Sequence, residues 1–243
     1  MKFYLLIVNV ILMLGGKNNI NFSSNLMLGL FLFYTSISHT MYDYFIIKGG
    51  KKMSKLYFKY GTVNSSKSAN LLMTKHNYEE QGLKTIVLKS TIDTREPGEI
   101  VTRAGIPSIK CIVFSENDSI KEILTGEIFD VVLVDEAQFC TELQIEELWQ
   151  ISIDCPVICF GLKTDSHTRL FPGSKRLLEL AEKIEEIKTV CKCGKKATIN
   201  ARIDENGNLI TNAPQIDIGG NEKYMPMCKE CFILATNNGG RIS

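Results

Sequence analysis

GTVNSSKS, Gly61 to Ser68, is the stretch on which the reading of this 243-residue chain turns. The phosphate-cradling pattern is a glycine, four free positions, then Gly-Lys-Ser or Gly-Lys-Thr. Here Gly61, Lys67 and Ser68 fall in register, but Ser66 stands where the second glycine belongs. Context decides whether such a loop is real. LYFKY (Leu56 to Tyr60), ahead of it, is a short run rich in β-formers. KSANLLMTKHNYEEQGL, behind it, sets Leu71, Leu72 and Tyr78 at helical spacing, with Gly82 placed to end the helix. In a strand–loop–helix, backbone N–H groups and the helix dipole face an anion. Lys67 would lie along the β- and γ-phosphates of a nucleotide, and Ser68 would offer its hydroxyl to Mg²⁺. A left-handed backbone at Ser66 costs roughly 1–2 kcal/mol. Charge-assisted hydrogen bonds at about 1.5–3 kcal/mol apiece outweigh that. The serine does not disqualify the loop.

A second element strengthens the reading. FDVVLVDEAQF carries a continuous apolar run, as in a central strand buried on both faces, and ends in adjacent carboxylates, Asp135 and Glu136. An aspartate there, opposite a phosphate loop, suits Mg²⁺, and Glu136 beside it is placed to take a proton. A solvated sheet edge is the plain alternative, and the apolar run argues against it.

KTIVLK and CIVFS read as further strands, and a helix through SIKEILTG can be capped by Asn117 or Asp118. TELQIEELWQI reads as a helix with Trp149 packed on the sheet, PVICFGL as a strand, and SKRLLELAEKIEEI as one amphipathic helix; His76 is placed on a helix surface. Strands alternating with helices predict an α/β fold, a P-loop parallel sheet with helices on both faces.

Net charge is +1, from 28 basic and 27 acidic side chains, so no overall field draws the chain to nucleic acid or to a membrane. Of its eight cysteines, Cys111, Cys140, Cys155 and Cys159 lie among apolar residues and read as buried, reduced thiols. The others come as Cys191-Lys-Cys193 and Cys228-Lys-Glu-Cys231, four thiolates for a tetrahedral, structural Zn²⁺ in a reducing, cytoplasmic setting. Around them the texture shifts after Lys188 to short elements, with turn signals at Glu205-Asn206-Gly207-Asn208 and Gly219-Gly220. The tail ATNNGGRIS reads as frayed.

The first fifty residues stand apart. MKFYLLIVNVILMLGG and FLFYTSISHTMYDYFII are apolar, but neither reaches the roughly 20 apolar residues that span a bilayer, and no A-x-A-like cleavage site follows the first. KGGKKM can be spelled by a purine-rich ribosome-binding sequence set before a start codon, which points to translation from Met53; a weak membrane anchor is the competing reading. The expected organisation is thus a leader over 1–52, an ATP-binding α/β domain over 53–188, a zinc domain over 189–236 and a flexible tail over 237–243.

In this order, LYFKYGTVNSSKSANLL, IDTR, VDEAQF, GLKTD, LFPGS, CKCG and IGGNEKYMPMCKEC resemble the cellular-type (type II) thymidine kinases, in a bacterial member, from Lys55 to about Phe232. That resemblance implies transfer of the ATP γ-phosphate to the 5′-hydroxyl of thymidine or deoxyuridine. It assigns the ATP and Mg²⁺ site to Gly61, Thr62, Val63, Asn64, Ser65, Ser66, Lys67, Ser68, Asp93, Thr94, Arg95, Asp135, Ala137 and Gln138, with Glu136 as catalytic base. It places Phe139, Leu162 and Phe171 around the base, and the lasso stretch Gln215, Ile216, Asp217, Ile218 and Gly219, with Tyr224, at the nucleoside. Cys191, Cys193, Cys228 and Cys231 match the zinc ligands. A homotetramer with dTTP as feedback ligand is likewise implied. Two positions depart from the family pattern: Ser66, and Ser166, where many relatives carry phenylalanine near the substrate. A P-loop ATPase or switch with another output, and a catalytically impaired nucleotide-binding paralogue, are the alternative readings.

Overall fold

The computed structural model describes residues 55–93, 96–210 and 223–242, all within one compact unit. The expectations for residues 1–52 and Met53, for Thr94 and Arg95, and for the stretch from Gln215 through the turn at Gly219-Gly220 lie outside the described residues.

β1 (Leu56–Tyr60) buries Leu56 and Phe58 completely. The loop after it enters α1 (Lys67–Glu80), which ends at Gln81 and turns through Gly82 at φ 73°. β2 (Thr85–Ser90) follows, then a short antiparallel ribbon of β3 (Glu99–Ile100) and β4 (Ile109–Lys110), then β5 (Ile112–Phe114). α2 (Ile120–Leu124) leads through Gly126, at φ 86°, to β6 (Val131–Asp135). A 3₁₀ turn (Ala137–Phe139), α3 (Glu142–Ile151), β7 (Val157–Gly161), α4 (Pro172–Leu180) and β8 (Lys183–Glu186) complete the sheet domain.

The sheet runs β5-β2-β6-β7-β1-β8, and every adjacent pair is parallel. All its strands therefore point their carboxyl ends to one side, where ligands bind in open α/β sheets. β6 and β7 are buried along their whole length, as strands covered on both faces must be. Alternate residues feed two cores. Val132, Val134, Val157 and Cys159 pack with Ile120, Ile145, Leu148 and Leu177 of the helices on one face. Val131, Leu133, Ile158 and Phe160 pack with Leu71 and Leu72 of α1 on the other.

The structure corrects several local readings. SKRLLELAEKIEEI is not one helix: α4 stops at Leu180, and Lys183–Glu186 forms the edge strand β8 against β1. Glu182 fastens the junction, its N–H donating to the Leu56 carbonyl and its carboxylate accepting from the Leu56 N–H at 2.7 Å. The cap of α2 is Ser119, whose hydroxyl accepts from the Glu122 N–H; Asp118 instead closes a turn onto Ser115. Trp149 is 42% exposed rather than packed on the sheet, because Ile145 and Leu148 take the buried face of α3. Cys111 is half-buried, while Cys140, Cys155 and Cys159 are buried and all are free thiols.

Beyond the sheet, β9 (Ile199–Arg202) and β10 (Tyr224–Met227) form an antiparallel pair, and α5 (Lys229–Asn237) packs on them through Ala235. The expected turn is present, with Gly207 at φ 79° and Asp204 accepting from Asn206 and Asn208. The tail does not fray where the sequence suggested. α5 runs through Asn237, and Gly240 is buried, its carbonyl accepting from Leu209 and its N–H donating to Ala235. Packing of Ile242 on the same cluster holds this end down.

Candidate active site

β1 delivers the glycine-started loop to the carboxyl edge of the sheet, and close approach explains its first residue. A Cβ at Gly61 would meet Ser65 Oγ at 2.3 Å and the Ile187 carbonyl at 2.6 Å. The Gly61 N–H donates to the Gly161 carbonyl at the end of β7, so the loop is tied to the sheet at its root. Ser66 takes the left-handed backbone, φ 60° and ψ 32°, at the first turn of α1, and Asn64 is left-handed too. The Lys67 ammonium folds back to the Thr62 carbonyl at 2.9 Å. Arg103, on the β3–β4 connection, reaches Asn64 Oδ1 at 3.4 Å. Thr62 Oγ1 and Ser65 Oγ are buried in the loop without hydrogen-bond partners among the described residues, the state expected of groups that meet a ligand.

Opposite the loop, β6 ends in Asp135. Its Oδ2 accepts from Ser68 Oγ at 3.0 Å, while Oδ1 is buried without a hydrogen-bond partner among the described residues. Burial, and then the neighbouring Glu136 carboxylate, push the Asp135 carboxyl up to about 7. An orphaned carboxylate oxygen beside a serine hydroxyl is a donor set that fits Mg²⁺, with Asp135 and Ser68 as the holding residues. Glu136 is buried, with its backbone left-handed at φ 51°, a conformation that persists only where the surroundings enforce it. Gln138 holds the Glu136 carboxylate in place. Its Nε2 donates to Glu136 Oε2 at 2.5 Å, and its Oε1 accepts from the Leu162 N–H at 2.9 Å. The carboxamide lies across Gly161, where a Cβ would come within 2.7 Å of Oε1.

The three apolar positions converge beside it. Phe139 and Phe171 meet edge to face with centroids 5.9 Å apart, and the carbonyl of Leu162 accepts from Ser174 Oγ at 2.5 Å. Ala137 is fully buried in the same apolar cluster as Val134, Cys140 and Cys159. Asp93 pairs with Lys89 at 3.0 Å. Tyr224 opens β10, paired with Arg202. Sequence reasoning missed Lys89, which is 3% exposed and also donates to the Glu96 and Glu99 carbonyls, pinning the segment that carries Asp93. Its signal was a lysine closing the apolar run TIVLK. It missed Asn200 as well, which touches the loop from β9.

The four paired cysteines do come together: the sulfurs of Cys191, Cys193, Cys228 and Cys231 lie within 4.8 Å of one another. Tetrahedral Zn–S bonds put sulfurs about 3.8 Å apart, so the cluster fits a structural zinc with small adjustment. Against burial, the N–H groups of Cys193 and Cys228 bring the Cys191 thiol down to about 7, which raises its thiolate share at neutral pH above that of an ordinary cysteine. Among the described residues, no helix is long and apolar enough to cross a membrane.

A parallel sheet with a phosphate loop after its first strand and an acidic pair ending its central strand defines a P-loop nucleotide-dependent enzyme. Comparison narrows this. The family model described as thymidine kinase matches residues 54–232, and the chain belongs to that family. It is 43% identical to a thymidine kinase of Zymomonas mobilis over 76% of this chain and 100% of that one. A thymidine kinase of Photorhabdus laumondii is 41% identical over 76% of this chain and 95% of its own, and one of Rhodopirellula baltica 41% over 74% and 88%.

Proposed function

We infer that the chain is a thymidine kinase that transfers the γ-phosphate of ATP to the 5′-hydroxyl of thymidine or deoxyuridine, giving dTMP and ADP. The observation that carries this is the juxtaposition of Ser68 and Asp135, 3.0 Å apart, with Glu136 beside them at the start of α1, in a chain of this family. The loop N–H groups and Lys67 hold the phosphates, and phosphoryl transfer needs such positioning more than covalent help. Ser68 and Asp135 would hold Mg²⁺, which would supply neutralisation of phosphate charge when bound. Glu136, oriented by Gln138, accepts the hydroxyl proton of the nucleoside, and the Phe139–Phe171 pair with Leu162 supplies an apolar wall for its base.

Residues 53–188 serve as the ATP-binding domain and 189–236 as a zinc domain, whose lasso stretch Gln215–Gly219 reads the base edge with main-chain groups. Thr94 and Arg95 belong to the phosphate side. A cytoplasmic homotetramer with dTTP as feedback ligand completes the reading.

The test is transfer of radiolabelled phosphate from ATP to thymidine. Wild-type protein is expected to label the nucleoside, and Glu136→Gln to do so about 10²- to 10⁴-fold more slowly, the range for loss of a general base. Hydrolysis of ATP that is indifferent to thymidine would move the chain to the ATPase reading.

A further inference from the structure

Asn200 sits in β9, between the two cysteine pairs in sequence, and is 3% exposed. Asparagine is disfavoured in strands, so its presence at a buried strand position calls for a polar task. Its carboxamide works in two directions. Oδ1 accepts from the Val63 N–H at 2.8 Å, and Nδ2 donates to the Thr164 carbonyl at 2.7 Å. Val63 belongs to the phosphate loop, and Thr164 to the loop that follows β7. One side chain of the cysteine module therefore ties together two loops at the carboxyl edge of the sheet.

The bond to Val63 has a second end. A trans peptide unit is planar, with its C=O and N–H pointing in opposite directions. The unit that carries the Val63 N–H also carries the Thr62 carbonyl, which accepts from Lys67 Nζ at 2.9 Å. Fixing the N–H on one side aims the carbonyl at the lysine on the other. We propose that Asn200 is a positioning residue for phosphoryl transfer: it locks the Thr62–Val63 peptide from the cysteine module and so sets where the Lys67 ammonium rests. An amide has a donor and an acceptor in one plane, one for each backbone partner. The proposal rests on the kinase reading above, because it assumes that ATP occupies this loop.

The relay predicts a split between the two substrates. By calorimetry, Asn200→Ala is expected to weaken Mg-ATP binding about tenfold, the effect of one buried hydrogen bond. Thymidine affinity and the zinc-to-protein ratio are expected to stay within about twofold of wild type. In a Lys67→Met background, where the group being aimed is gone, Asn200→Ala should change ATP affinity by less than about twofold. Equal losses in both backgrounds overturn the relay, as do parallel losses of ATP, thymidine and zinc, which mark a merely structural asparagine. Should Asn200→Ala fail to fold, Asn200→Ser keeps a hydroxyl for one of the two bonds. It is expected to weaken ATP about threefold, and a parallel fall in thymidine affinity overturns the proposal. Wild-type protein that binds no Mg-ATP overturns the kinase reading itself. Wild type that binds it, with Asn200→Ala binding equally well, overturns only the relay.

Discussion

Ser66 carries the left-handed backbone that the phosphate-loop pattern assigns to glycine, and the strain expected from its sequence is present at φ 60°. Ser66→Gly should stabilise the protein by about 1 kcal/mol, the sterically imposed part of that cost. A melting experiment should read it as an increase of about 2–4 °C, with little change in the KM for ATP. At Asp135 the folded carboxyl is raised above its unfolded value, so protons favour the metal-free fold and compete with the cation. The sign follows: the magnesium concentration for half-maximal rate should rise as pH falls from about 8 to about 6, through the raised carboxyl value. A flat magnesium requirement across that range would contradict the assignment. Residue-scale chemistry was largely legible, because Gly61, Lys67, Ser68, Asp135 and Glu136 announce themselves by spacing. Asn200 was not, since it acts on backbone groups of distant segments and leaves no local pattern; Lys89 leaves only the lysine that closes TIVLK, which does not name the nearby carbonyls and carboxylate it binds.

Elements with their own local signals were read well, and those stabilised from a distance were not. β1, β6 and β7 carry their apolar runs, and α3 is capped by Thr141 with the reciprocal bond from Gln144, so local chemistry and fold agree. Thr141→Ala should cost about 1 kcal/mol, visible in the unfolding midpoint and absent from the KM of either substrate, since the hydrogen bonds of Thr141 go to its own helix end. β8 is the contrary case. AEKIEE has helical spacing and good helix formers, yet it lies along the outer edge of β1, where main-chain pairing from Tyr57 to Tyr60 decides its state. Nothing within a window of that length reveals the vacant edge of a strand more than a hundred residues earlier. The same holds at the chain's end, where two adjacent glycines look like fraying until Leu209 is seen to receive Gly240.

On the scale of the whole molecule, the cysteine module is fastened to the nucleotide-binding sheet through Asn200, so metal and phosphate sites should answer to each other. A zinc chelator is expected to lower kinase activity and to open Cys191, Cys193, Cys228 and Cys231 to alkylation. Cys140 and Cys159 should remain unmodified until the protein unfolds, because burial pushes Cys140 up to about 12 and holds Cys159 well above its ordinary value. Peptide mass mapping before and after chelation distinguishes the two sets; labelling of Cys140 in the folded protein would count against the packing of β7 and α3 around it.

The sheet's common polarity also leaves an opposite pole. There the chain turns at Gly82 and Gly126, and among the described residues no atom lies within 4 Å of where a side chain would begin. A fluorophore or an affinity peptide spliced at either bend would sit on the far rim from the chemistry. The molecule thus offers a handle by which it can be tethered or watched while it turns over.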